Sequence, residues 1–155
     1  MAGAVAAKLK SLGIVLPAPV APVANYVPFT MAGPLVFISG QIPLADGQMC
    51  YRGQVGSTLS LDDGYQAARL CAINLLAQLS AACGGDLDRV KRVLKLGGFV
   101  SCRPEFTDHP KVINGASDLM VEAFGDAGRH ARAAVGAPSL PLDAAVEVDG
   151  TFEID

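Results

Sequence analysis

The fold is decided by the stretch from residue 60 to residue 102, which reads SLDDGYQAARLCAINLLAQLSAACGGDLDRVKRVLKLGGFVSC. Ser60, with Asp63 three residues later, is close to a capping box and predicts the start of a helix. Apolar residues then recur at helical spacing as far as Ala82, where Gly84-Gly85 ends the pattern. This apolar face consists of Leu61, Tyr65, Ala68, Ala72, Leu75 and Leu79. Residues 89–102 favour a strand, so a long helix is followed by a strand.

Upstream of this unit, the sequence predicts a short helix, an extended segment and a hairpin. Residues 3–12 carry apolar side chains at helical spacing, and Gly13 can end that helix. The proline-rich stretch 16–28 is expected to run extended. Residues 35–39 (LVFIS) have the pattern of a buried strand that follows a turn at residues 32–34, and residues 25–29 are the expected first arm of the hairpin.

Downstream, a second helix starts at Thr107 or Asp108, with Pro110 tolerated in its first turn. Its expected inner face is Val112, Ala116, Leu119, Met120 and Ala123. The chain then ends in a predicted hairpin with arms 130–137 and 144–154. This order of elements predicts one α+β domain over residues 1–155, a mixed sheet with two main helices on one face. The other face of the sheet stays apolar and uncovered, which favours self-association.

The composition restricts the class of protein. Of 155 residues, 51% are apolar and only 17% are charged, against roughly 25% charged in a typical soluble domain. A membrane span is not expected, because the apolar stretch 13–31 is interrupted by four prolines, and no secretory signal follows the lysines near the start. Four cysteines without a CxxC pair argue against zinc, and a net charge of −3 argues against a generic nucleic-acid binder. We therefore expect a cytoplasmic protein that holds no metal.

Arg132 and Glu147 are the main candidates for chemistry. Their midpoint falls in the predicted turn, so an antiparallel hairpin would make them near-opposite neighbours on one face. Such a pair can bind a carboxylate and handle a proton, although spacing alone fits a cross-strand salt bridge better. Ser39-Gly40 could bind a carbonyl or anion through backbone N–H groups, or be an ordinary strand exit.

The other polar candidates have equally plain structural explanations. Tyr26 fits a packing residue and Asn114 a solvated helix residue. His109 fits a helix start, and His130 could either pack in a strand or line a site with Arg132. The basic residues of the predicted strand lack the alternating aromatic residues that stacking on RNA would need, so a solvated flank explains them better; these are Arg89, Lys91, Arg92 and Lys95.

Several of these motifs occur together in a characteristic order. They are Asn25-Tyr26, residues 37–43 (FISGQIP), residues 109–114 (HPKVIN), residues 132–135 (RAAV), Leu140-Pro141 and residues 146–148 (VEV). From about residue 20 to its end, the chain resembles the RidA/YjgF family, also called endoribonuclease L-PSP. The N-terminal helix, residues 1–13, is an addition to the family pattern.

The resemblance implies a chorismate-mutase-like fold, a homotrimer and ligand sites in the clefts between subunits. The best-defined members of the family are hydrolases that deaminate enamines and imines, converting 2-imino acids such as 2-iminopropanoate to 2-keto acids and ammonia. They use no cofactor and no metal. Two alternatives are a module that binds a small carboxylate or keto acid without turnover and, with less support, an endoribonuclease. The expected partners are a small 2-imino or 2-keto acid and further copies of the chain, with no membrane and no nucleic acid.

The resemblance also assigns roles to individual residues. The carboxylate-binding arginine of the family corresponds to Arg132 and the water-positioning glutamate to Glu147. The substrate-binding positions correspond to Tyr26, Ser39, Gly40, Asn114 and Ala134, the last of which is often cysteine in the deaminases. The run from Gly128 to Arg132 (GRHAR) resembles a less characterised branch of the family. Arg129 and His130 are therefore additional charged or titratable groups close to the expected site.

Overall fold

The computed structural model describes residues 3–19, 21 and 24–155. Three α-helices, three short 3₁₀ helices and seven strands are present in this part of the chain. The α-helices are α1 (Ala4–Ser11), α2 (Leu61–Ala82) and α3 (His109–Phe124); the strands are β1 (Phe29–Ala32), β2 (Leu35–Gln41), β3 (Leu44–Ala45), β4 (Gln48–Met49), β5 (Val90–Ser101), β6 (Ala131–Ala137) and β7 (Val146–Ile154). The main sheet has the order β1-β2-β7-β5-β6, while β3 and β4 pair with each other. The predicted α+β fold is confirmed.

The sheet is mixed because α3 connects β5 to β6. A helix between two strands carries the chain back to the starting edge, so β6 lies parallel to β5. The chain then returns to the middle of the sheet, where β7 runs antiparallel to both β2 and β5. The predicted hairpin between residues 130–137 and 144–154 is therefore wrong. Both strands exist, but β5 lies between them.

Helices α2 and α3 cover one face of the main sheet. The predicted capping box forms: the Asp63 N–H donates to Ser60 Oγ and the Ser60 N–H donates to the Asp63 carboxylate, each at 3.0 Å. Gly115 allows the two helices to approach closely, since a Cβ there would collide with the backbone carbonyl of Tyr65. The predicted inner face of α3 is buried in full. Between the helices and the sheet lies the core, whose largest side chains include Phe152, Leu75, Leu96 and Met120.

The opposite face of the main sheet has no covering element among the described residues of this single chain. Large apolar side chains on it are exposed, including Phe37 (42%), Phe99 (37%) and Val135 (48%). Phe99 and Val135 are register partners on β5 and β6, so they form one continuous apolar surface. We call this surface the open face.

The N-terminal segment is anchored to the rest of the fold through Asp88. The amides of Ala4 and Val5, at the start of α1, donate to the two Asp88 carboxylate oxygens at 2.8 and 2.9 Å, as expected for an anion at a helix N-terminus. The predicted extended stretch 16–28 includes residues 20, 22 and 23, which lie outside the described part. The first hairpin arm is β1 at Phe29–Ala32, slightly later than the predicted 25–29. Across the described residues, no helix combines the length and apolar character needed to span a bilayer.

Candidate functional site

A cleft of about 320 Å³ opens where β2 leaves the sheet. Four of the predicted site residues line it, namely Tyr26, Ser39, Gly40 and Glu147. The walls are completed by the apolar side chains of Ile42, Leu44, Pro141 and Leu142 and by Asn74 of α2. We call the group Tyr26, Ser39, Gly40 and Glu147 the acidic half-site.

Glu147 is placed in this cleft by the alternation of β7. Its neighbours Val146 and Val148 are buried under the helices, so Glu147 points to the open face, where its register partner is Phe99. Gly40 provides the space, because a Cβ at that position would collide with the Glu147 carboxylate. Burial, and secondarily the nearby Asp149, raise the pKa of Glu147 above its usual value. This carboxyl group can therefore exchange protons closer to neutral pH than a solvated glutamate.

The strand exit is held in shape by side chains. The Ser39 hydroxyl donates to the Val27 carbonyl at 3.0 Å, which ties the segment carrying Tyr26 to β2. Asn74 Nδ2 donates to the carbonyls of Ile42 and Leu44, both at 3.0 Å. Asn74 was not among the predicted site residues, although an amide between the buried Cys71 and Leu75 on an apolar helix face is a recognisable signal.

Arg132 occupies a different surface. Its register partner on β5 is Leu96, which is buried under the helices, so Arg132 points toward α3 and away from the open face. Its Nη1 donates to Asn114 Oδ1 at 2.9 Å and to Ser117 Oγ at 3.1 Å. Ala134 lies two residues further along β6 and therefore on the same side. We call the group Arg132, Asn114, Ser117 and Ala134 the basic half-site; Ser117 was not among the predicted site residues.

The guanidinium of Arg132 has no acidic partner among the described residues, where four other ion pairs occur. Both of its contacts are to neutral groups, so its positive charge is uncompensated. The residue is also half-buried. Burying a charge without a counterion is costly unless a ligand supplies one. The basic half-site is therefore suited to an anion.

The predicted pairing of Arg132 with Glu147 across a hairpin is wrong. The two residues are separated by β5 and lie on opposite faces of the sheet. Arg132 is level with Leu96 on β5, whereas Glu147 is level with Phe99. Neither a salt bridge nor a shared pocket joins the two residues within the described part of the chain.

The remaining candidates lie apart from both half-sites or support them. His109 Nε2 is 3.4 Å from Cys102 Sγ and its ring packs edge-on against Phe106. His130 contacts Ser117, next to Arg132. Within the described residues, no three potential metal-ligating side chains of His, Cys, Asp or Glu come together.

Comparison with known proteins identifies the family. The model of the "YjgF/chorismate_mutase-like, putative endoribonuclease" family matches residues 6–152. The chain belongs to this family, as its motifs predicted. It is 51% identical over 154 residues to Protein TCP17 of Trypanosoma cruzi, covering 99% of this chain and 96% of that protein.

Two solved structures show the same fold. The protein Atu1372 from Agrobacterium tumefaciens, of unknown function, is 49% identical and superimposes with a TM-score of 0.92, over 97% of this chain and 92% of that one. TdcF of E. coli, solved with bound serine, is 22% identical with a TM-score of 0.64, over 92% of this chain and 97% of that one. The chorismate-mutase-like fold expected from the sequence is thereby confirmed.

Proposed function

We propose that this protein is a cofactor-free hydrolase that deaminates 2-imino acids in clefts between the subunits of a homotrimer. Each cleft would join the basic half-site of one copy to the acidic half-site of the next. The observation that carries the proposal is the placement of Arg132 and Glu147 on opposite sheet faces, each without a partner of opposite charge among the described side chains. The exposed apolar side chains of the open face support the association of copies.

The chemistry follows from what each half-site offers. Arg132 holds the planar carboxylate of the substrate through two parallel N–H···O bonds. Glu147 takes a proton from water as the water oxygen bonds to the imine carbon, and Glu147 then gives that proton to the imine nitrogen. In the resulting carbinolamine, Glu147 takes the hydroxyl proton and passes it to the amino group, so the C–N bond breaks, ammonia leaves and the 2-keto acid remains. Water is the only co-reactant, and Glu147 ends as it began.

The direct test follows the decay of 2-iminopropanoate, generated in solution, with and without the protein. Wild type should accelerate hydrolysis. Arg132→Ala removes two charge-assisted hydrogen bonds, at roughly 1.5–3 kcal/mol for each bond to a charged group, and should lower kcat/KM by about 10²–10⁴-fold. The matched control is Arg129→Ala, since Arg129 is an exposed neighbour whose one ion pair among the described side chains is with Asp126 at 3.5 Å. No acceleration by wild type, or no loss in Arg132→Ala, would contradict the proposal.

The second candidate is a module that binds a small carboxylate or keto acid without turnover. It is favoured by the bound serine of TdcF, a small carboxylate ligand in a protein of the same fold. Calorimetry with 2-ketobutyrate separates the two functions. In a binding module, Glu147→Gln leaves the affinity largely intact and wild type shows no turnover. In a deaminase the same variant also binds, but wild type hydrolyses the imine and the variant does not.

A further inference from the structure

We infer that Ser117 and His130 are positioning residues that hold the Arg132 guanidinium in the orientation that receives a carboxylate. The inference rests on the proposed function for the identity of the ligand. Its structural basis is a chain of hydrogen bonds that begins at a backbone carbonyl and ends on Nη1 of Arg132.

The direction of each bond in the chain is fixed by its first member. The Gly128 carbonyl can only accept, so His130 Nδ1, at 2.6 Å, carries a proton and donates. In a neutral ring Nε2 is then an acceptor, and it receives the Ser117 hydroxyl at 2.8 Å. Because the Ser117 hydroxyl donates its hydrogen to His130, its oxygen accepts a hydrogen bond from Arg132 Nη1 at 3.1 Å.

Burial favours the neutral ring that this chain requires. It lowers the pKa of His130 below the usual 6.5, and the charge of Arg132 acts in the same direction, while the Gly128 carbonyl opposes them. The position of that carbonyl is fixed in turn, because Gly128 lies so close to α3 that a Cβ would collide with the Met120 carbonyl. The spacing of the glycine, histidine and arginine in the GRHAR run is thus explained by one structural unit.

The network uses one part of the guanidinium and leaves another available. An arginine has five N–H donors, two of them on Nη1. Asn114 and Ser117 occupy Nη1. Nε and Nη2 have no hydrogen-bond acceptor in the part of the chain that the structure describes. These two nitrogens form the side edge of the guanidinium, whose parallel donors match the two oxygens of a carboxylate. Ser117 and His130 therefore determine which edge of Arg132 faces the ligand.

The first test needs no ligand. In long-range ¹H–¹⁵N spectra of the intact protein at pH 7, His130 should appear as the neutral tautomer protonated at Nδ1. A ring protonated at Nε2 alone would donate to Ser117 and leave no proton for the Gly128 carbonyl, which would overturn the inference. This result is independent of whether the protein turns over any imine.

The second test measures the Kd of 2-ketobutyrate by calorimetry. Ser117→Ala should weaken binding by about ten- to a hundredfold, the value of one hydrogen bond to a charged group. His130→Ala should weaken it less, and His130→Gln should restore it because the amide oxygen can accept from Ser117. The matched control, His109→Ala, should leave the Kd unchanged.

Coupling to Arg132 distinguishes positioning from a general structural effect. If Ser117 acts through Arg132, then Ser117→Ala should have no further effect on the Kd in an Arg132→Ala background. An equal effect in both backgrounds, or none in wild type, would overturn the inference while leaving the proposed function standing. Failure of wild type to bind 2-ketobutyrate would instead count against the proposed function, and the tautomer of His130 would then decide the inference.

Discussion

Adding one methyl group at Gly40 should disable turnover while leaving the fold intact. A Cβ at this position would collide with Oε1 of Glu147 and lie 2.9 Å from its Cδ and 3.0 Å from its Cγ. Since non-bonded carbon atoms prefer about 3.5–4.0 Å, the carboxylate must move by about 1 Å. A displacement of that size in a reacting group can cost about 10²-fold in rate, so kcat/KM for 2-iminopropanoate should fall by that order in Gly40→Ala.

The stability of this variant should change little. Glu147 is a flexible side chain that can rotate away. Alanine also lowers the entropy of the unfolded chain relative to glycine, which raises the free energy of unfolding by roughly 0.4–1 kcal/mol. The midpoint of thermal unfolding should therefore stay within a few degrees of the wild-type value. The affinity for 2-ketobutyrate should persist because Arg132 is unchanged. In a Glu147→Gln background, Gly40→Ala should cause no further loss of turnover. Undiminished turnover in the single variant, or an additive loss in the double variant, would refute this placement of Glu147.

Three further predictions concern the fold, the pH dependence and the assembly. Gly115→Ala should lower the free energy of unfolding in urea by about 1–3 kcal/mol, because the backbone carbonyl of Tyr65 cannot rotate away; an unchanged midpoint would contradict the close helix packing. Burial raises the pKa of Glu147 above its usual 4.5. As the pH rises past 4.5, the folded protein therefore keeps this proton longer than the unfolded chain does, and the free energy of unfolding falls. At neutral pH the buried, ionised carboxylate destabilises the fold. Glu147→Gln should therefore unfold at a higher temperature than wild type at pH 8, with a difference that shrinks toward pH 3; a gap independent of pH would contradict this reasoning. Phe99→Lys places a charge on the open face and should shift sedimentation to the monomer and abolish turnover, whereas an intact oligomer would show that the open face is not the contact between copies.

Local signals in the sequence predicted most of the elements. The Ser60 and Asp63 capping box determines the start of α2, and the apolar positions of α3 are buried as their spacing indicates. These features depend on neighbours within a few residues, which one sequence displays directly. The small shift of the first hairpin arm has a local cause as well. The turn at Gly33, with its positive φ of 57°, leaves Ala32 and Leu35 as the innermost pair.

Strand partners depend on distant parts of the chain, and the predicted pairing of residues 130–137 with residues 144–154 was wrong. Residues 130–154 have the pattern of two strands joined by a turn. The order of β5, α3 and β6 along the chain nevertheless indicates that β6 pairs in parallel with β5. That order leaves the position beside β5 for β7, which moves Glu147 to the open face and Arg132 to the helix side. The role of Ser117 was hidden for the same reason, since its contact with Arg132 depends on how α3 crosses β6.

If each site combines Arg132 of one subunit with Glu147 of another, mixed oligomers should restore an activity that neither variant has alone. Arg132→Ala and Glu147→Gln should each be inactive alone. When the two variants are mixed in equal amounts, unfolded and refolded together, about one quarter of the clefts should receive an intact arginine and an intact glutamate, because each cleft draws one residue from each of two randomly chosen neighbours. Hydrolysis of 2-iminopropanoate should recover to about a quarter of the wild-type rate per site. A mixture as inactive as its two components, with mixed oligomers confirmed by mass spectrometry, would show that Arg132 and Glu147 do not act together across a subunit contact.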